Sequence, residues 1–350
     1  MCNKGVKVKG VEIKNKALEL GYLACGIIPA IEFHEYTQHL DKRINKFPES
    51  KELYEPLYRL ASPAENAKSI IVCIQRYNRY KIPDCLEGLI GKCYLFDSRI
   101  PYSKEFRAKT EFEEHLKINR INFLESNIPD RLAAAKAGLG KIGANNFFYS
   151  PNHGSYVWID KWVTDVQLDY DPIQENIFLS ECNNCQNCVR SCPTKALQGE
   201  FLMDRGKCIT QFLSYPKEAL YQGDTLKKET WLDAGIWLYG CDSCQDACHL
   251  NKDKFIENEM FPLLADFTEY LKPENILEMD NATYLSIVNP RFWYVGKDGL
   301  WRWKCMALRS MINSGNIKYH GYIKKYCDDN DLRLREIAQW GLTKIEKANP

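Results

Sequence analysis

The stretch CNNCQNCVRSCP, residues 182–193, decides how the chain is read. It places Cys182, Cys185 and Cys188 two residues apart, then Cys192 one residue further on, directly before Pro193. Thiolates at that spacing wrap a tight loop around one face of a 4Fe–4S cubane, and the fourth cysteine turns toward a second cluster. The run alone therefore leaves one centre short of a ligand and gives the other only one.

Working outward, the missing ligands lie downstream. Cys241, Cys244 and Cys248 supply three thiolates and the isolated Cys208 a fourth. Crossing the ligands, as two-cluster ferredoxins do, puts Cys182, Cys185, Cys188 and Cys248 on the first cluster. Cys192, Cys208, Cys241 and Cys244 then hold the second. The competing reading is structural zinc, since Cys-x2-Cys pairs also make four-thiolate zinc sites. Zinc requires neither the third cysteine two residues on nor the Cys-Pro ending. His249, where proline is usual, reads as a bystander. The remaining seven cysteines (Cys2, Cys25, Cys73, Cys85, Cys93, Cys305 and Cys327) lack ligand spacing and read mostly as small buried hydrophobes.

Two clusters alone make an electron carrier, which needs neither the 180 or so residues before the run nor the 100 or so after it. With 350 residues, 45% of them hydrophobic, the chain can bury two or three compact units. A formal net charge of +1 gives no global argument for nucleic acid or membrane. The longest apolar run, Leu20 to Ile31, is interrupted by Gly21, Gly26 and Pro29 and is too short to span a bilayer. With no secretory leader, a cytoplasmic, thiol-reducing setting is expected.

The expected fold class is α+β: an N-terminal α/β domain over residues 1–170, a ferredoxin-like double-cluster domain over 171–265 and a C-terminal helical, repeat-like segment over 266–350. Spacing predicts helices over Val11–Gly21, Glu111–Ser126 and Arg131–Ala137, and throughout from Trp301. Strands are predicted over Ser69–Ile74, Asn146–Tyr149 and Ser155–Val163. Pro48–Asn66 reads as a surface segment and Asp169–Asn176 as a linker.

Gly138, Gly140 and Gly143 formally match the dinucleotide fingerprint. Here, however, a helix precedes the glycines and strands follow, the reverse of what pyrophosphate binding requires. Nicotinamide binding is set aside. What remains is a loop whose backbone can approach a bound group, with Lys141, Asn145 and Ser155, beside Gly154, in reach of it. The plainer alternative is a helix end followed by a tight turn.

With these stretches in hand, the chain resembles the epoxyqueuosine reductases and, through them, the cobalamin-dependent reductive dehalogenases. The resemblance runs through ALELGYLACGIIPA (17–30), residues 66–74, AGLGKIGAN (137–145), Gly154-Ser155, the first cysteine run to Leu197, YGCDSCQDAC (239–248) and REIAQW (335–340). It implies a base-off cobalamin in the N-terminal domain, its nucleotide tail near Gly138, Gly140, Lys141, Gly143, Asn145, Gly154 and Ser155. No Asp-x-His-x-x-Gly signature is present. By the same analogy the clusters, fed by an external low-potential donor, bring cobalt to Co(I), which attacks the epoxide of epoxyqueuosine in tRNA. An acid then protonates the departing oxygen, because hydroxide is a poor leaving group at neutral pH.

The sequence departs from the family at the substrate end. The acidic residue that family members carry upstream of the glycine loop falls in Glu125-Ser-Asn-Ile-Pro129-Asp130, where Asp130 is the candidate acid and, alternatively, a helix-dipole partner. A Tyr-His pair is half present as Tyr102, a second candidate donor. These departures leave open a corrinoid reductase with another small organic substrate, or a non-catalytic electron-transfer protein. Glu35 and His39 have helical metal-site spacing without further ligands and read as a solvated face. Trp293, Trp301 and Trp303 beside Arg291, Arg302 and Lys304 read either as an RNA grip or as a packing seam. Lys297–Pro350 carries eleven basic against six acidic residues.

Overall fold

The structure, a computed structural model, describes residues 10–214, 235–256 and 258–348; Cys2 lies outside them. Its centre is a three-stranded antiparallel sheet in the order β1 (Ala24–Pro29), β2 (Ser69–Arg76), β5 (Val157–Thr164). β2 is buried from Ser69 to Gln75, so its unbroken apolar run reflects cover on both faces. Alternation divides the strand between two cores. Ile70, Val72 and Ile74 pack with Leu132, Ala133 and Ala134 of a helix over Asp130–Lys136. Ile71 and Cys73 face Ile13 and Ala17 of a helix over Gly10–Glu19 and Ala108, Phe112 and Leu116 of one over Lys104–Ile118. Fully burying each of these larger side chains is worth about 1.5–3 kcal/mol.

Two sequence expectations are corrected here. The helix expected over Glu111–Ser126 runs instead from Lys104 to Ile118. Ser103 caps its start by accepting from Phe106 N–H, and Arg120, at φ 60°, turns the chain just after its end. Ile118 is 80% exposed, whereas Ile121 is buried beyond the helix. Pro48–Asn66 is also more than a surface passage. It folds into three short helical turns, and its Ser50 and Tyr54 are 1% exposed because they dock on the cysteine-rich segment. Ser50 Oγ donates to Asp204 Oδ1 at 2.5 Å, and Tyr54 Oη donates to the Met203 carbonyl.

The stretch after β2 joins the C-terminal helices in the largest core. Tyr77, Tyr80, Leu86, Ile90 and Phe96 share it with helix Leu300–Ser314 and with Leu334, Ile337 and Ala338 of helix Leu332–Ala348. Trp303 is fully buried there, its ring 6.0 Å from Tyr239 and 5.1 Å from Phe292, so this tryptophan belongs to a packing seam. Trp301 is half-buried, with the Arg333 guanidinium 3.8 Å from its ring centre. Among the described residues no helix is long and apolar enough to cross a membrane.

Below this core the Glu105 side chain is fully buried, accepting from Tyr80 Oη at 2.8 and 2.9 Å and paired with Arg79. Glu35 pairs with Lys136, itself 4% exposed, at 2.7 Å, so that helix face is not simply solvated. His39 lies against the Phe178 ring at 5.2 Å; burial, then Arg43 and Lys42, push it down to about 4. A histidine depressed in the fold contributes stability above its ordinary value near 6.5 that fades as pH falls toward the folded value. His39→Phe is therefore expected to narrow the difference in Tm between pH 7.5 and pH 5, measured by thermal unfolding. An unchanged difference would remove His39 from that account.

Candidate iron–sulfur centres and a neighbouring basic cradle

The sulfur ligands gather from three directions. Cys182 ends a short helical turn, Ser180–Cys182, and Cys188 lies on the turn Asn187–Ser191. Between them Gln186, at φ 55°, reverses the backbone so that Cys185 stays in the same loop. Cys248 follows the turn Ser243–Asp246 and closes the group from some sixty residues away. Cys182, Cys185, Cys188 and Cys248 line one hollow, together with Asn145 and Tyr149. Burial first, then the neighbouring sulfurs, push the Cys188 thiol up to about 11 and raise Cys182; the sulfurs named are those of this quartet.

The second group is Cys192, Cys208, Cys241 and Cys244, and it sits deeper. Cys192 is 8% exposed. Burial leads the causes that push Cys241 up to about 12 and Cys244 well above its usual range; for Cys244 the proximity of Cys241, Cys208 and Cys192 adds to it. Cys188 of the first quartet also acts on Cys244, so the two groups of sulfurs lie next to each other. Thiols crowded this way repel one another as thiolates until a cationic centre accepts them. Four thiolates around a hollow fit a cubane.

Hydrogen bonds aim at the sulfurs, as cluster ligands require. Ala144 N–H donates to Cys182 Sγ at 3.3 Å and Ala196 N–H to Cys192 Sγ at 3.2 Å. Tyr149 Oη bonds Cys248, and Asn145 Nδ2 donates to that same hydroxyl at 2.8 Å. His249 is less of a bystander than its position suggested: its Nδ1 is 3.4 Å from Cys185 Sγ.

The glycine loop is built around these centres. After Gly138, in the left-handed conformation at φ 77°, strand β3 (Lys141–Ile142) pairs with β4 (Phe148–Tyr149). A Cβ at Gly140 would fall 2.1 Å from the Tyr149 carbonyl oxygen, and one at Gly154 would fall 2.2 Å from Asn251 Oδ1. Both close approaches are to the protein's own chain, as is that of Gly143, which lies against the Tyr149 ring. Asn145, 4% exposed, also donates to the Cys244 carbonyl at 3.2 Å. Ser155 Oγ donates to Gln245 Oε1 and accepts from Asn251 Nδ2, both at 2.8 Å. These two side chains fasten the sheet domain to the cysteine segment, while Lys141 stays half-buried.

One residue beyond Asn145 begins a basic cradle that sequence patterning missed. Arg43 Nη2 donates to Asn146 Oδ1 at 2.5 Å and to the Phe201 carbonyl at 3.1 Å, while Arg131 donates to the Asn146 carbonyl. Tyr36 is raised by burial and feels Arg43, Arg131, Arg205 and Asp130, which places these groups around one another. Asn146 Nδ2 and Arg43 Nε are buried without a hydrogen-bond partner. Of the proton-donor candidates, Asp130 Oδ1 is ion-paired with Lys161 Nζ at 2.5 Å. Tyr102 is 70% exposed, and Glu125 is exposed.

The model of a 4Fe-4S double cluster binding domain matches residues 181–251. Epoxyqueuosine reductase of Cellulophaga algicola is 28% identical over 250 residues, 69% of this chain and 78% of that protein. The enzyme of Cyclobacterium marinum is 28% identical over 288 residues, 78% of this chain and 89% of that one. The chain is a relative of the epoxyqueuosine reductases. The fold agrees: the structure of epoxyqueuosine reductase from Bacillus subtilis superposes with a TM-score of 0.72 at 22% identity, covering 96% of this chain and 90% of that one. Like other proteins related to epoxyqueuosine reductase, this one is an oxidoreductase carrying iron–sulfur clusters.

Proposed function

We propose that this chain is a cobalamin-dependent iron–sulfur reductase that converts epoxyqueuosine to queuosine in tRNA. The observation that carries the reading is the junction of two thiolate quartets with a basic, polar cradle through the single turn Ala144–Asn146. Similarity to named epoxyqueuosine reductases over 69–78% of the chain supports it, as does a related structure of epoxyqueuosine reductase with an epoxyqueuosine-modified tRNA stem loop. The cradle suits a ligand rich in amides with a phosphate: the orphaned Asn146 Nδ2 and Arg43 Nε are buried donors awaiting acceptors. When bound, the clusters supply single electrons from an external low-potential donor, and the corrin supplies a two-electron reductant for carbon–oxygen cleavage.

The chain's own residues do the rest. Arg43, Arg131 and Tyr36 orient the anionic and amide groups of the bound partner beside Asn146, with the loop Gly138–Gly143 and Lys141 along its edge. Asn145 and Ser155 hold the cysteine segment against that loop, fixing the distance electrons cross. Converting an epoxide to an alkene takes two electrons and two protons and releases one water. Asp130, with Lys161 at 2.5 Å, is the carboxylate beside the cradle through which those protons pass; Tyr102 is the second candidate. The three-part division at 170/171 and 265/266 remains our working description of the units.

Protein reconstituted anaerobically with iron, sulfide and cobalamin is expected to turn epoxyqueuosine-containing tRNA into queuosine-containing tRNA, followed by nucleoside mass spectrometry. Asp130→Asn should slow single-turnover conversion by about 10²–10⁴-fold, the usual worth of general acid–base catalysis, with corrinoid binding unchanged. Unaltered nucleoside despite bound, reduced corrinoid would sink the substrate assignment. That outcome would favour the second reading, a corrinoid reductase for another small substrate, which the exposed Glu125 and the ion-paired Asp130 support. Failure to bind corrinoid at all would leave an electron-transfer protein.

A further inference from the structure

Arg309 lies on helix Leu300–Ser314 in the C-terminal segment and is fully buried. Burial of a guanidinium is costly unless it meets charge or hydrogen-bond acceptors. Arg309 Nη2 donates to the Trp237 carbonyl. Its neighbours continue the same grip: Ser310 Oγ donates to the Ile236 carbonyl at 2.8 Å and Asn313 Nδ2 to the Gly235 carbonyl at 3.0 Å. Three side chains on one helix thus hold the three carbonyls that lead, through the buried Leu238 and Tyr239, to Cys241. Cys241 itself packs against the core of that helix. A guanidinium keeps its proton at neutral pH even when buried, so the helix that grips the chain just ahead of Cys241 carries a positive charge inside the same core.

We propose that Arg309 is a positioning residue for the second quartet, fixing the approach to Cys241 and supplying a buried positive charge that makes the cluster there easier to reduce. The inference rests on the two-cluster reading above. A four-thiolate cubane gains one negative charge on reduction, and burial disfavours that added charge. The second quartet is the deeper one, so it has the greater need of a nearby cation. The helical segment then has a role in electron flow, separate from any contact with tRNA.

The test is a redox titration of the fully reconstituted chain, monitored by electron paramagnetic resonance, comparing wild type, Arg309→Lys and Arg309→Gln. With iron content equal to wild type, Arg309→Gln should lose at least tenfold in the second cluster's preference for the electron. For a one-electron couple that is a midpoint about 59 mV more negative. The wave that moves should be the one a Cys241→Ser substitution alters, and the other wave should stay in place. Arg309→Lys should keep most of the wild-type potential. Unmoved midpoints in loaded Arg309→Gln would overturn the proposal, as would equal shifts of both waves. Should Arg309→Gln fail to take up iron, Arg309→Lys decides: a potential near wild type supports the charge role, and one shifted by tenfold or more overturns it. Zinc, or half the iron, in wild type would instead overturn the cluster reading itself.

Discussion

Replacing Cys248 with alanine is expected to abolish the 4Fe–4S signal of the first centre and leave that of the second in place. The reasoning is geometric. Cys248 is remote in sequence from Cys182, Cys185 and Cys188, yet it lines the same hollow. Conversely, Cys192 continues the first run in sequence but keeps company with Cys208, Cys241 and Cys244. Cys192→Ala should therefore reproduce the spectrum of Cys244→Ala and differ from that of Cys188→Ala. Each single variant should lose turnover on tRNA below detection, because removing either centre breaks the electron path. Iron analysis with resonance spectra of the reduced variants checks the grouping. If Cys248→Ala and Cys192→Ala lost the same centre, the crossed assignment would be wrong.

The second large effect concerns stability. Arg79→Met is expected to destabilise the fold by about 3–5 kcal/mol, because it strands a buried charge. Glu105 has no side-chain exposure, and Arg79, 18% exposed, is its ion-pair partner. The single hydroxyl proton of Tyr80, shared between the two carboxylate oxygens, would remain, and it does not neutralise a carboxylate. For a chain of this size the fall in Tm should be roughly 4–7 °C. The double variant Arg79→Met/Glu105→Met should recover much of the loss, since replacing both partners of a buried pair by apolar groups is often neutral. Equal instability of single and double variants in denaturant unfolding would assign the effect to packing instead.

The double-cluster segment was legible in the sequence because its chemistry is local. A cubane dictates intervals of two and three residues, and those intervals survive in one dimension. The central strand was legible too, as Ser69–Ile74 is apolar on both faces. The errors have equally local causes. Ile118 and Ile121 both fit a helical stripe, but periodicity cannot register that Arg120 turns the chain between them. The cradle was invisible because Arg43, Arg131 and Arg205 are unremarkable singly and meet only after β1, β2 and the cysteine segment have packed. Arg309 hid in the same way, as one basic residue in a basic stretch whose burial no count of charges reveals. Gly140 and Gly154 make room for Tyr149 and Asn251, a use of glycine that a one-dimensional pattern does not separate from room for a ligand.

Among the described residues the buried apolar patch beneath the second quartet is Cys192, Ala196 and Leu197, with Val189 and Met203 partly buried against it. So small a nucleus cannot hold its surroundings once metal is gone, and helix Leu300–Ser314 grips the chain just ahead of Cys241. Assembly should therefore place the sheet and the terminal helices, which own the larger cores, ahead of the cysteine segment, which closes once sulfide and iron arrive. Oxygen that dissolves a cubane would reverse only that last step, loosening the cysteine segment while the sheet and the terminal helices stay folded.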